Sequence, residues 1–149
     1  MNNNITERDL MVGDWVQYGD IHTVKTRVLA ISSVDNGKHW HIQAETEHAN
    51  SMRIVVMHAV EPIAITAEIL KKIGFGYVEN DVNPYDGKVL SHFYLGDECF
   101  CANMDLHICT YNDGIFWFSS PKLTLNGIRY LHELQHALRL AGIDITIEL

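Results

Sequence analysis

Within the stretch Tyr130 to Gly142, YLHELQHALRLAG, the residues His132, Glu133 and His136 have the order and spacing of the zinc-protease motif H-E-x-x-H. Two imidazoles four residues apart on a helix project from one face and can share a metal, and the intervening glutamate can activate a metal-bound water. Such a site needs a third protein ligand. The metzincin positions downstream hold Arg139 and Gly142, and the remaining acids, Asp144 and Glu148, leave no room for the second helix of a thermolysin-like site. At about 100° per residue, Leu131, Leu134, Leu138 and Ala141 form one apolar arc, with His132 and His136 nearly opposite, beside Arg129 and Arg139. Both histidines are therefore expected on a solvated face, where two guanidinium groups disfavour a dication. A hydrolase with His132 and His136 as zinc ligands and Glu133 as general base stands as the alternative; no catalytic residue and no cofactor is the expectation.

Cys99, Cys101, His107 and Cys109 form a weaker metal candidate. With a tight turn near Asn103 to Asp105, Cys101 would oppose His107 and Cys99 would oppose Cys109 on one face, leaving Phe100, Ala102, Leu106 and Ile108 on the other. Structural zinc sites use C-x2-C knuckles, which are absent here, and cysteine is among the most buried residue types, so apolar packing is the expectation. His39 and His41 share a strand face without a third ligand placed by sequence, and His48 and His58 are isolated. In IFWFSS, Phe116 and Phe118 face one way and Trp117 the other. An exposed Trp117 would be a partner-binding candidate.

Strands joined by tight turns must carry most of these residues. Thr6 to Asp9 reads as a capping box, Trp15 and Val16 begin a strand, Ile21 to Ser32 continues as another, and DNG at Asp35 to Gly37 is a hairpin turn. Trp40, Ile42 and Ala44 then alternate with His39, His41 and Gln43, and Met52 to Met57 forms a further strand. This region, residues 1–63, is expected to be a small SH3-like or partly open barrel. Residues 64–149 read as a helix capped by Thr66 and ended by Gly74, a turn-rich loop from Glu79 to Lys88, strands at Val89 to Leu95 and on both sides of Asn112 to Gly114, a sheet break at Pro121, a helix from Ile128 to Ala141, and a last strand burying Ile143, Ile145, Ile147 and Leu149. The fold class is α+β, with a small N-terminal barrel part followed by an antiparallel sheet packed with two helices.

The composition excludes several function classes. In 149 residues, 47% are hydrophobic and 20% charged, as in an ordinary globular protein. Nineteen acids against eleven bases give a net charge of −8, which disfavours nucleic acid as a partner. No run is long and apolar enough for a membrane span, and the first residues lack the basic start and apolar run of a signal peptide, so the cytoplasm is the expected location. Three cysteines do not form a secreted disulfide framework. Nucleophile-elbow, phosphate-loop and dinucleotide fingerprints are absent.

Three blocks, DLMVGDWV, VEPIAITAEILKKIGF and IRYLHELQHALRLAG, resemble a family of short uncharacterised proteins encoded in prophages and mobile elements of anaerobic gut bacteria. In that family LHELQ is typically followed by Asn or another residue where this chain has His136, which implies that the zinc motif elaborates a packing helix. The expected function is a non-enzymatic accessory or protein-interaction module with an unidentified protein partner or self-association. A weaker alternative is an acidic mimic of nucleic acid, which would need its carboxylates in an ordered stripe.

Overall fold

A computed structural model describes residues 5–19, 23–45, 51–82, 85–95, 106–111 and 113–149. The chain divides into two compact units, Met1–Ile63 and Ala64–Leu149, each built on a five-stranded antiparallel sheet.

The first unit begins with a turn at Thr6 to Asp9. The Thr6 and Asp9 backbones bond at 3.0 Å, and the Asp9 carboxylate accepts from the Thr6 N–H at 2.8 Å and the Thr6 hydroxyl at 2.6 Å. The capping pattern thus closes a turn without continuing into a helix. Asp14 is fully buried because its carboxylate accepts the Met11 N–H at 2.7 Å and its own backbone pairs with Met11 and Val28. The strands β1 (Trp15–Tyr18), β2 (Val24–Val34), β3 (His39–Glu45), β4 (Met52–Val56) and β5 (Val60–Pro62) take the order β4-β3-β2-β1-β5. The long β2 serves two neighbours: Val24 to Arg27 pair with β1, while Val28 to Val34 pair with β3 across a bulge at Leu29. Asp35 and Asn36 turn the β2–β3 hairpin with φ of 53° and 54°, a region short polar side chains tolerate, and Gly37 completes it at 88°. Val16, Val28, Ile42, Ala44, Val55 and Val60 form the core with half-buried Tyr18, Ile31 and Trp40 packed against it.

Of the SH3-like or partly open barrel expected for residues 1–63, the antiparallel sheet is present, and among the described residues it does not close. Among the described residues β4 and β5 lie at opposite ends of the strand order with no ladder between them. β5 has three residues and ends at Pro62, which has no N–H to extend a ladder.

The second unit comprises α1 (Ala67–Lys72), β6 (Gly76–Val82), β7 (Val89–Leu95), β8 (Leu106–Thr110), β9 (Phe116–Ser119), β10 (Thr124–Ile128) and α2 (Leu131–Ala141), with the strands in meander order β10-β9-β8-β7-β6. Thr66 caps α1 by accepting the Ile69 N–H at 3.2 Å. Tyr77, Phe93, Ile108, Phe118 and Leu125 stand in one register row across the sheet. Phe93, Ile108 and Phe118 in that row are buried, and each such side chain contributes about 1.5–3 kcal/mol. The opposite face carries His92, Tyr94, His107, Cys109 and Trp117.

Four sequence expectations in this unit are corrected. The turn-rich loop expected from Glu79 to Lys88 is in part strand: β6, Gly76–Val82, pairs with β7 at the edge of the sheet. Pro121 does not break the sheet, because it sits inside the Ser120–Leu123 turn that joins β9 to β10, where a fixed φ suits a reverse turn. Residues 143–149 join no ladder; their burial alternates, but only Ile147 is fully buried. The helix expected from Ile128 starts at Leu131, because Ile128 ends β10 and Tyr130 forms an isolated bridge with Ala64. No helix among the described residues is long and apolar enough to cross a membrane.

Candidate functional site

The HELQH residues occupy the first turns of α2. Glu133 is the third helical residue, and one carboxylate oxygen accepts the Arg129 N–H at 2.7 Å and the Tyr130 N–H at 3.0 Å. A glutamate there meets backbone donors that have no partner within the helix, so its carboxylate folds back to cap them. One of its two carboxylate oxygens, Oε2, is thereby committed to the backbone.

His132 is not solvated, contrary to the helical-wheel expectation: it is 4% exposed, stacked on Tyr130 at 5.9 Å and 7°. His136 is half-buried, and its ring stands edge-on to His132 at 6.0 Å and 77°. The wheel placed only the leucine arc inside, whereas α2 is covered over a wider arc that includes His132 and Gln135, while Arg139 and Leu140 are exposed. His132 also lies in the first turn, at the positive end of the helix dipole, which disfavours a cation there. Among the described residues no group of three or more His, Cys, Asp or Glu side chains is arranged to hold a metal ion.

In the cysteine-histidine candidate, Cys99 and Cys101 lie outside the described residues. His107 and Cys109 do share a face, and the structure adds His92, which stands opposite Cys109 in register. His92 Nδ1 and His107 Nε2 are hydrogen-bonded, and the rings stack at 4.7 Å and 11°. One nitrogen must donate and the other accept, so this contact holds one proton between two imidazoles. Burial pushes the Cys109 thiol up, which keeps it protonated near neutral pH. Trp117 is half-buried, with Tyr111 edge-on at 4.8 Å and 87° and the Lys88 ammonium 5.4 Å from the Tyr111 ring.

The first unit presents a different surface. β4 is an outermost strand whose side chains alternate: Val55 is buried, while Met52, Ile54 and Val56 are 64%, 70% and 38% exposed. In register they oppose Glu45, Gln43 and His41 of β3. Where β4 meets the 3-10 turn Met57–Ala59, a cleft of about 460 Å³ opens among Val34, Lys38, Trp40, His41, Val56 and His58.

No protein-family model, curated protein or solved structure matches the chain. The strand containing Met52 was legible in the sequence; its place at the edge was not, because side-chain period carries no information about strand order. The one available signal was composition, since MRIVV turns Met52, Ile54 and Val56 to the same side with no charge among them.

Proposed function

We propose that this chain is a non-enzymatic protein-interaction module, an accessory protein of a phage or other mobile element acting in the host cytoplasm, with a first unit on the SH3-like plan. The observation that carries the interaction reading is the apolar edge strand β4. Edge strands are normally protected by charge, proline, bulges or brevity. β5, the opposite edge, has three residues and a proline, whereas β4 turns Met52, Ile54 and Val56 outward and includes one charge, Arg53. The strand order, with β5 returning to β1 after a 3-10 turn, supports the SH3-like plan in a partly open form. The Glu133 cap weighs against hydrolysis at HELQH.

The test is affinity capture with the full chain and with Ile54→Asp, read by mass spectrometry, together with zinc content for the parent and His136→Asn. A partner held by the parent and lost with Ile54→Asp is expected. Stoichiometric zinc that disappears in His136→Asn would overturn the reading in favour of a metal-dependent enzyme.

A further inference from the structure

The cleft and the edge of β4 form one continuous surface, because Val56 belongs to both. From this geometry we infer that the surface binds an extended acidic peptide, which adds to β4 as a further strand and inserts one apolar side chain into the cleft. The inference rests on the interaction reading above and specifies the partner's chemistry.

Backbone geometry supplies the first requirement. On the side away from β3, the N–H and C=O groups of Met52–Val56 join no ladder among the described residues, so an incoming strand finds donors and acceptors at the correct spacing. Strand addition also selects alternate side chains, and the outward Met52, Ile54 and Val56 offer apolar contacts at that period. The cleft supplies an anchor site: its volume lies in the range of about 300–1,000 Å³ typical of ligand pockets, and Val34, Trp40 and Met57 give it apolar walls.

Charge selects the partner. Of the described acids near this surface, Glu45 is held by Arg27 through contacts of 2.7 and 3.0 Å, Asp35 hydrogen-bonds the His39 ring at 3.2 Å, and Glu7, which also lines the cleft, lies 4.0 Å from Arg8. Lys38 at the cleft forms no ion pair among the described residues, and Arg53 on β4 lies 5.8 Å from the Tyr18 ring. His41 and His58 add imidazole donors at the rim. In a chain of net charge −8, this face therefore complements carboxylates. A nucleic-acid strand would bring negative charge, but it has no backbone amides to pair with β4.

The experiment is an NMR titration of the full 15N-labelled chain at neutral pH. One probe is a six-residue acetylated peptide alternating aspartate and valine and ending in phenylalanine; the other has lysine in place of each aspartate. The acidic peptide is expected to shift the amides of Met52 to Val56 together with those of Lys38, His41 and His58, and to bind about tenfold more tightly than the lysine peptide. Lys38→Glu is expected to remove that preference while keeping the parent's spectral dispersion, and Ile54→Asp to weaken both peptides. The inference is overturned by absence of shifts at these amides at millimolar acidic peptide, or by equal binding of the lysine peptide. It is also overturned by concentration-dependent β4 shifts without peptide, which would make the occupant a second copy, or by a single-stranded oligonucleotide reproducing the shifts. A captured partner that depends on Ile54 but not on Lys38 would sink the acidic chemistry and leave the interaction reading intact. Peptide binding without any captured partner would separate the two the other way.

Discussion

Glu133 satisfies two backbone N–H groups with one carboxylate oxygen, so its loss should register as stability and not as activity. Glu133→Ala is expected to lower stability by about 0.5–2 kcal/mol, whereas Glu133→Gln, which keeps an acceptor, should recover most of it. Thermal denaturation of the two variants checks this; equal melting temperatures for Ala and parent would mean that the cap contributes nothing. Cys109 gives a second prediction at this scale. Burial favours its thiol, and the thiolate is the nucleophile, so iodoacetamide at pH 7.5 should leave Cys109 unmodified in the native chain and label it in urea. Peptide mapping by mass spectrometry reads both states. The motif residues were legible by spacing, but the burial of His132 was not, because a helical wheel locates the apolar stripe without revealing how wide an arc the neighbours cover.

The elements were legible where local chemistry and alternation agreed. Thr66 and Gly74 bounded α1, DNG turned the β2–β3 hairpin, and Phe116 and Phe118 faced inward as their period requires. Misreadings arose where one residue type fits two structures. Pro121 can interrupt a strand or shape a turn, and Gly76 follows a helix cap closely enough to hide the start of β6. Gly76 is needed for a tertiary reason: it stands opposite Tyr94, and an added Cβ would lie 2.3 Å from a Tyr94 ring carbon. Gly76→Val should therefore displace the ring and cost about 1–3 kcal/mol. The same substitution in a Tyr94→Ala background should cost less, and a double-mutant cycle by denaturant unfolding gives the difference. An unchanged cost would remove Tyr94 as the cause. At the C-terminus, alternating isoleucines indicated alternating burial correctly but could not supply a strand to pair with.

The whole molecule consists of two units that meet at the Ile63–Ala64 peptide bond, a boundary marked in sequence by Pro62. A fragment of residues 64–149 should fold by itself, with amide dispersion matching its part of the full-chain spectrum; a collapsed spectrum would show that its core needs residues before 64. Acid sensitivity should differ from place to place. The Arg27 guanidinium beside Glu45 holds its carboxyl below the usual glutamate value of 4.5: the hydrogen bond contributes most, desolvation opposes it, and the charge of Arg27 adds the smallest effect. A carboxyl depressed by folding stabilises above its unfolded value and loses that contribution as pH falls through the folded one. Melting curves of Glu45→Gln and the parent should therefore converge below about pH 4.5, and a constant gap down to pH 2 would contradict the pairing. Strand order and the exposed edge belong to this scale too, and they were the least legible features, since they depend on which strands meet and not on any one strand's pattern.

The Glu133 cap has a consequence for genome-wide motif scanning. A glutamate at the third position of a helix lies beside open backbone amides and can be recruited to close them, while the same residue two turns further along has no such donors to serve. Distance from the helix start is therefore a filter that a five-letter search omits: where the glutamate of H-E-x-x-H is third in its helix, the match can record how the helix begins and carry no catalytic information.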